Sequence, residues 1–341
     1  MNVPRAKFTL KIIIATVLVP LVIVELVVRL NPIGIFGSAG DPYHHLRDED
    51  LHPIEFDSDL GWVPRPGQYD DVWPGKALSI SSDGLRSNGA RFGRNRSPSI
   101  LAAGDSFTFG DLVADSETWP AYLEQMLGAT TYNAGVSSYG FDQTVLRVEK
   151  LVPKLLPTVV IVGVINDDIR RTTVSSRSNA TKPFFRLVNG ALALDSEPLQ
   201  PFPGDARVSL RLLLRRSAIS RLLYRRWLSP EVKQHEDGVG VSCALTRRLA
   251  QLKKRYEVPV LLLAQMDEAL GRRDLVQLQR CAEDAGLDVI DTYWVLKNYK
   301  TRDDLWRVHM TAAGNRVVAG IVYRYLQSSR YAHLLTAARD K

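Results

Sequence analysis

The stretch Ser99-Ile-Leu-Ala-Ala-Gly-Asp-Ser-Phe-Thr-Phe-Gly110 decides how this chain is read. Its first five residues are apolar enough for a strand buried on both faces, and Gly104-Asp105 then breaks the run. A serine placed where a strand stops and the chain turns holds its hydroxyl at the edge of a sheet, within reach of a base. Ser106 stands at that point. Gly-Asp-Ser alone is equally an ordinary strand-to-helix turn, so the rest of the chain has to supply the partners.

Beyond it, short apolar runs alternate with helical periodicity, the pattern of a parallel sheet with crossover helices. The expected strands are Ser99 to Ala103, Thr131 to Asn133, Thr158 to Val164, Val258 to Ala264 and Leu287 to Ile290. The expected helices run near Glu117 to Leu127, Asp142 to Leu155, Ser242 to Tyr256, Asp274 to Ala285 and Thr311 to Leu326. In open parallel sheets ligands bind outside the carboxyl ends of the strands, and polar residues gather there. The first strand ends in Gly104-Asp105-Ser106, the second in Asn133-Ala134-Gly135 and the third in Gly163-Val164-Ile165-Asn166-Asp167-Asp168. His309-Met310-Thr311-Ala312-Ala313-Gly314-Asn315 precedes the last helix. Arg171 to Phe202 shows no clear period and reads as an insertion over the site.

In these four blocks, taken in order, the chain resembles the SGNH, or GDSL, hydrolase superfamily over roughly residues 97 to 328. The resemblance implies a flavodoxin-like three-layer α/β/α sandwich around a five-stranded parallel sheet. It also implies Ser106 as nucleophile and His309 as general base, with the Gly135 N–H and the Asn166 side-chain amide holding the oxyanion. The residues support the same chemistry directly. A serine attack needs an imidazole to take its proton, and beyond the N-terminal region the chain holds His235, in a polar loop-like stretch, His309, and His333 near its C-terminal end.

One position departs from the pattern. The family places an acid three, sometimes two, residues before the histidine, and here those positions hold Trp306 and Arg307. Asp304 is the favoured replacement, Asp291 a second candidate, and a Ser-His dyad oriented by a backbone carbonyl a third.

Before the sheet lie an N-terminal segment, residues 1–34, and a Pro-, Gly-, Asp- and His-rich lead-in, residues 35–95, with short strands expected around Leu60 to Val63 and Leu78 to Ile80. The run from Ile12 to Val28 is apolar apart from Glu25 and just reaches bilayer length with its flanks, which predicts a transmembrane helix. Arg5, Lys7 and Lys11 precede it, while residues 31 to 60 hold one arginine against seven acids, so the remainder is expected to face the exterior or periplasm from the inner membrane. A cleaved signal peptide, with Gly37-Ser38-Ala39 as its site, is the alternative. The main domain would occupy residues 96–333.

The chain has 341 residues, 24% of them charged, and a net charge of +7. Seven arginines between residues 206 and 230, with no acid among them, account for that excess. Their spacing beside Leu210, Leu213 and Leu214 reads as a basic amphipathic helix, a solvated face or one meeting lipid head groups or an acidic glycan, with nucleic acid the least fitting partner. Cys243 and Cys281 read as core residues on separate helices, with a disulfide open to them if the domain faces outward. No phosphate-binding loop, dinucleotide fingerprint or metal-ligand spacing is present, and no cofactor is expected. The sequence therefore points to a serine esterase or acyl-transfer enzyme working on an acylated glycan or lipid of the cell envelope. A weakly catalytic domain that binds polysaccharide is the competing reading.

Overall fold

The computed structural model describes residues 53–89, 98–177, 180–195, 197–199, 235, 237–267, 271–328 and 331–336, with five isolated positions between 16 and 26. The described elements belong to the unit formed by Glu49–Pro201 and Val232–Lys341. The predicted N-terminal span, His44 and His45, and the arginine-rich segment lie outside the described residues or touch them only at those isolated positions. Among the described residues no helix is long and apolar enough to cross a membrane.

The lead-in folds as two antiparallel hairpins, β1 (Ile54–Asp57) with β2 (Gly61–Pro64), and β3 (Gly67–Trp73) with β4 (Lys76–Ile80). Both are fastened to the main domain. Trp62 donates its indole N–H to the Ser137 carbonyl, Tyr139 donates back to the Trp62 carbonyl, and Trp73, Leu78 and Ile80 cluster with Phe109.

The main sheet is built from β5 (Ser99–Ala103), β6 (Thr130–Asn133), β7 (Val159–Val164), β12 (Val260–Ala264) and β13 (Asp288–Asp291), all parallel, in the order β13-β12-β7-β5-β6. Between β7 and β12 lie two small hairpins, β8 (Ser176–Arg177) with β9 (Ala180–Thr181), and β10 (Phe185–Val188) with β11 (Ala191–Leu194). The helices are α1 (Ser106–Phe109), α2 (Trp119–Leu127), α3 (Phe141–Leu155), α4 (Asn166–Arg171), α5 (Gly238–Tyr256), α6 (Arg273–Asp284), α7 (Tyr293–Lys297), α8 (Ala312–Ser328) and α9 (Ala332–Thr336).

Period-two alternation divides each strand between two cores. Leu101, Val160, Val162 and Leu262 point to one face, which α3, α5 and α6 cover with Val145, Leu245 and Leu278. Ile100, Ile161, Leu261 and Leu263 point to the other, covered by α2 and α8 through Leu123, Val318 and Val322. The result is a three-layer α/β/α sandwich, and each fully buried aliphatic side chain contributes about 1.5–3 kcal/mol to holding it.

Two sequence expectations need correction. Cys243 and Cys281 form a disulfide between α5 and α6, because the two helices lie side by side on one face and bring the Cα atoms to 5.3 Å. The described part of the 171–202 insertion packs on α5, with Phe185 in the core and under Arg248, and makes no hydrogen bond to Ser106 or His309. Its hairpin β10–β11 is thus part of the helical layer, while Arg171 at its start bonds Asp105 beside Ser106.

Candidate active site

The sheet order reverses between β5, the first of its strands in the chain, and β7, the third, which opens a crevice at their carboxyl ends. Ser106 follows β5 and Asn166 follows β7, so the crevice is flanked by both. Asp105 caps α1 by accepting from the Phe107 N–H, while its carbonyl receives the N–H groups of Thr108 and Phe109. These bonds leave the Ser106 N–H as the donor beside its own hydroxyl. Gly104 and Gly163 allow this short helix to sit down on the sheet, since a Cβ at either would strike the Thr108 side chain.

His309 reaches Ser106 from the loop before α8, with 3.0 Å between Nε2 and Oγ. The loop is folded tightly by Thr311 N–H to the Leu305 carbonyl and Arg307 N–H to the His309 carbonyl. Asn315, in α8, accepts from the Trp119 N–H and so ties that loop to α2. Nε2 acts as a base only with the ring proton on Nδ1. Nδ1 is buried and has no hydrogen-bond partner among the described residues.

The expected triad acid is not beside it. Asp304 is exposed, in the 3-10 turn Arg302–Asp304, and its carbonyl accepts from the Thr311 hydroxyl. That bond engages the Asp304 backbone, and its carboxylate makes no hydrogen bond to the His309 Nδ1. Asp291 is engaged elsewhere, accepting from Arg272 at 2.6 Å and from the Tyr293 N–H. Trp306 is buried where the family acid would stand.

The two expected oxyanion donors differ. Asn166 uses its amide oxygen to accept from the Leu275 N–H, which leaves Nδ2 as its donor, and it lines a small pocket with Gln265, Arg272 and Tyr293 that includes neither Ser106 nor His309. The Gly135 N–H is instead taken by the Asn133 side-chain oxygen at 3.1 Å. Gly135 is glycine because a Cβ there would overlap the backbone of Thr108 and Phe109, not because a substrate oxygen needs the room.

Sequence reading passed over four further residues. Arg171 donates to Asp105 at 3.2 Å, Asp168 at 2.7 Å and the Tyr139 carbonyl at 2.8 Å, and pairs with Asp167. Burial, then the nearby Asp105 charge, raise the Asp168 carboxyl well above the usual range. Asp111 lies with Oδ2 3.8 Å from His309 Nε2, and Ser137 donates to its Oδ1 at 2.6 Å. Asn133 completes the set by bridging Gly135 to the Phe109 carbonyl. Asp111 sits five residues past Ser106, directly after the opening stretch, and that proximity was the one available signal. Among the described residues no cluster of three or more His, Cys, Asp or Glu could hold a metal ion.

No family model matches this sequence, and no curated protein does. Solved structures do. A lipase/acylhydrolase from Enterococcus faecalis aligns with 67% of this chain and 95% of its own, at TM-score 0.41 and 13% identity. The acetylxylan esterase Axe2 from Geobacillus stearothermophilus aligns with 69% and 96%, at TM-score 0.40 and 16% identity. A protein described as lipolytic and of the G-D-S-L family, from Desulfitobacterium hafniense DCB-2, aligns with 67% and 98%, at TM-score 0.37 and 15% identity. The likeness to these proteins is one of fold. What it can do chemically is argued from Ser106, His309 and their surroundings.

Proposed function

We propose that this protein is a serine esterase or acyl-transfer enzyme that works through an acyl-Ser106 intermediate. The observation that carries the proposal is the 3.0 Å contact of Ser106 Oγ with His309 Nε2 at the crevice of the sheet. Ser106 attacks an ester carbonyl while Nε2 takes its proton, and the same nitrogen then returns that proton to the leaving alkoxide. The Asn166 amide and the Ser106 N–H are the donors for the oxyanion, each worth about 3–4 kcal/mol where such a donor is aligned.

The substrate we favour is an acylated glycan or lipid of the cell envelope, met by a domain held on the outer side of the inner membrane by the N-terminal segment. Three features support this. The apolar run after Lys11 has basic residues before it and acids after it. The Cys243–Cys281 disulfide suits an oxidising compartment. Tyr293 lines a small pocket with Asn166, and its neighbour Trp294, 61% exposed with ring centroids 5.0 Å apart, offers an aromatic surface to a glycan on that side of the domain.

The unpartnered His309 Nδ1 favours a second reading, a weakly catalytic domain that binds polysaccharide. Hydrolysis of p-nitrophenyl acetate by the full chain separates the two. We expect turnover that falls by about 1,000-fold or more in both Ser106→Ala and His309→Ala. A folded wild type without turnover, whose glycan binding survives Ser106→Ala, would establish the binding module instead.

A further inference from the structure

We propose that Asp111 is the acid of this site, supplying negative charge to His309 from the Nε2 side and not from Nδ1. The inference rests on the acyl-serine reading. His309 must carry a positive charge between taking the Ser106 proton and passing it on, and a half-buried imidazolium is stabilised by a nearby anion. Nothing on the Nδ1 side meets that need: Nδ1 has no hydrogen-bond partner among the described residues, Asp304 is exposed, and Asp291 is bound to Arg272.

Asp111 does meet it. Its Oδ2 stands 3.8 Å from Nε2, at 7% side-chain exposure, where an ion pair is screened far less than in water. The carboxylate is also held in place. Ser137 fixes Oδ1, and Arg86 grips the same loop through the carbonyls of Phe109, Gly110 and Val113.

The backbone on both sides of the Asp111–Ser137 bond is strained. Turns closed by Val113 N–H to Gly110 O and by Tyr139 N–H to Val136 O place Asp111 and Ser137 at their second positions. The third positions are Leu112 and Ser138, both at φ 67°, a left-handed conformation that favours glycine. The other non-glycine residues with positive φ among those described end α3, end α5 or sit in the β10–β11 turn, where that conformation is ordinary. Strain of this kind persists where the surroundings over-determine it, and here it aims Asp111 and Ser137 at each other.

As the Ser106 Oγ–acyl bond forms, the serine proton moves to Nε2; as the bond from acyl carbon to leaving oxygen breaks, that proton moves to the alkoxide. Asp111 is thus a positioning and charge-bearing residue that exchanges no proton. Ionisable groups around the pair include Asp105, 3.3 Å from Ser106 Oγ and matched by Arg171, and Arg86, which interacts with the Asp111 charge and donates to Asp115.

The test compares full-chain wild type, Asp111→Asn and Ser137→Ala. Asparagine keeps the oxygen that Ser137 donates to, so Asp111→Asn is expected to melt like wild type. It should nevertheless lose about tenfold or more in kcat/KM on p-nitrophenyl acetate, through kcat more than KM. The acid limb of its kcat/KM profile should move to lower pH, because an imidazolium without its anion sheds the proton more readily. Ser137→Ala should move it the same way by less. An unchanged rate and acid limb in both variants would overturn the proposal. If wild type neither turns over ester nor takes up a fluorophosphonate at Ser106, the acyl-serine reading itself falls. NMR titration of the His309 ring then still decides the Asp111 contact: a lower midpoint in Asp111→Asn supports it, and superimposed curves refute it.

Discussion

Replacing Arg171 with methionine tests the electrostatics under the nucleophile. The guanidinium is the one cation bonded to both Asp105 and Asp168, which are fully buried, and it also satisfies the Tyr139 carbonyl. Removing one partner of a buried ion pair costs about 3–5 kcal/mol, and an orphaned buried carbonyl about 1–3 kcal/mol. The two losses overlap, so we expect about 4 kcal/mol, or roughly 8–16 °C in Tm at the usual 2–4 °C per kcal/mol for a domain of this size.

The pH dependence carries the sharper test. Burial and the Asp105 charge raise Asp168, so the folded protein already binds more protons there than the unfolded chain, and that contribution falls as pH rises above the ordinary carboxylate range. Arg171 opposes this shift, and without it the decline extends to higher pH. Asp167 adds to the same trend. Burial pushes it up, but Arg171 and its neighbours outweigh that and hold it low, a stabilisation present near neutral pH and lost on acidification. Both effects make the deficit of Arg171→Met largest near neutrality and smaller at low pH. Calorimetric melts of both proteins from about pH 4.5 to 7.5 measure it. A variant that melts with wild type at neutral pH, or whose deficit grows on acidification, would refute the reasoning.

Two other perturbations probe how the site is carried. Gly135→Ala puts a Cβ against the backbone of Thr108 and Phe109, so we expect a loss of about 1–3 kcal/mol from overpacking and, since α1 must shift, about 100-fold in kcat/KM. Gly271→Ala, where nothing lies within 4 Å, is the control, and equal melting and kinetics in the two variants would contradict the packing account. Cys243→Ser with Cys281→Ser opens a crosslink spanning 38 residues, for which loop entropy gives about 4 kcal/mol. The double variant should melt well below wild type in the absence of reductant and keep its activity at low temperature.

The sheet was legible because β5, β7 and β12 are buried on both faces and therefore read as unbroken apolar runs bounded by turns. Ser106 and His309 were legible for a related reason. Each stands at a strand or helix terminus, where local sequence sets the backbone and a resemblance can be read residue by residue. The acid was not. Trp306 and Arg307 leave the usual positions empty, and from there sequence distance favours Asp304, five residues before the histidine. Distance along the chain says nothing about which carboxylate meets the ring, and in the folded chain Asp304 is exposed while His309 Nδ1 has no hydrogen-bond partner among the described residues.

Gly135 shows the same limit from the other side. A glycine near a nucleophile reads as room for substrate, yet here the room is filled by the backbone of α1, a contact between segments almost thirty residues apart. Asp111 is close to Ser106 in sequence, but its significance depends on Ser137 in the next βα loop, on Arg86 from the lead-in and on His309 from the far end of the domain. A residue whose role is set by three partners on three separate segments has no local signature. That is why the carboxylate beside His309 Nε2 becomes visible only once the chain is folded.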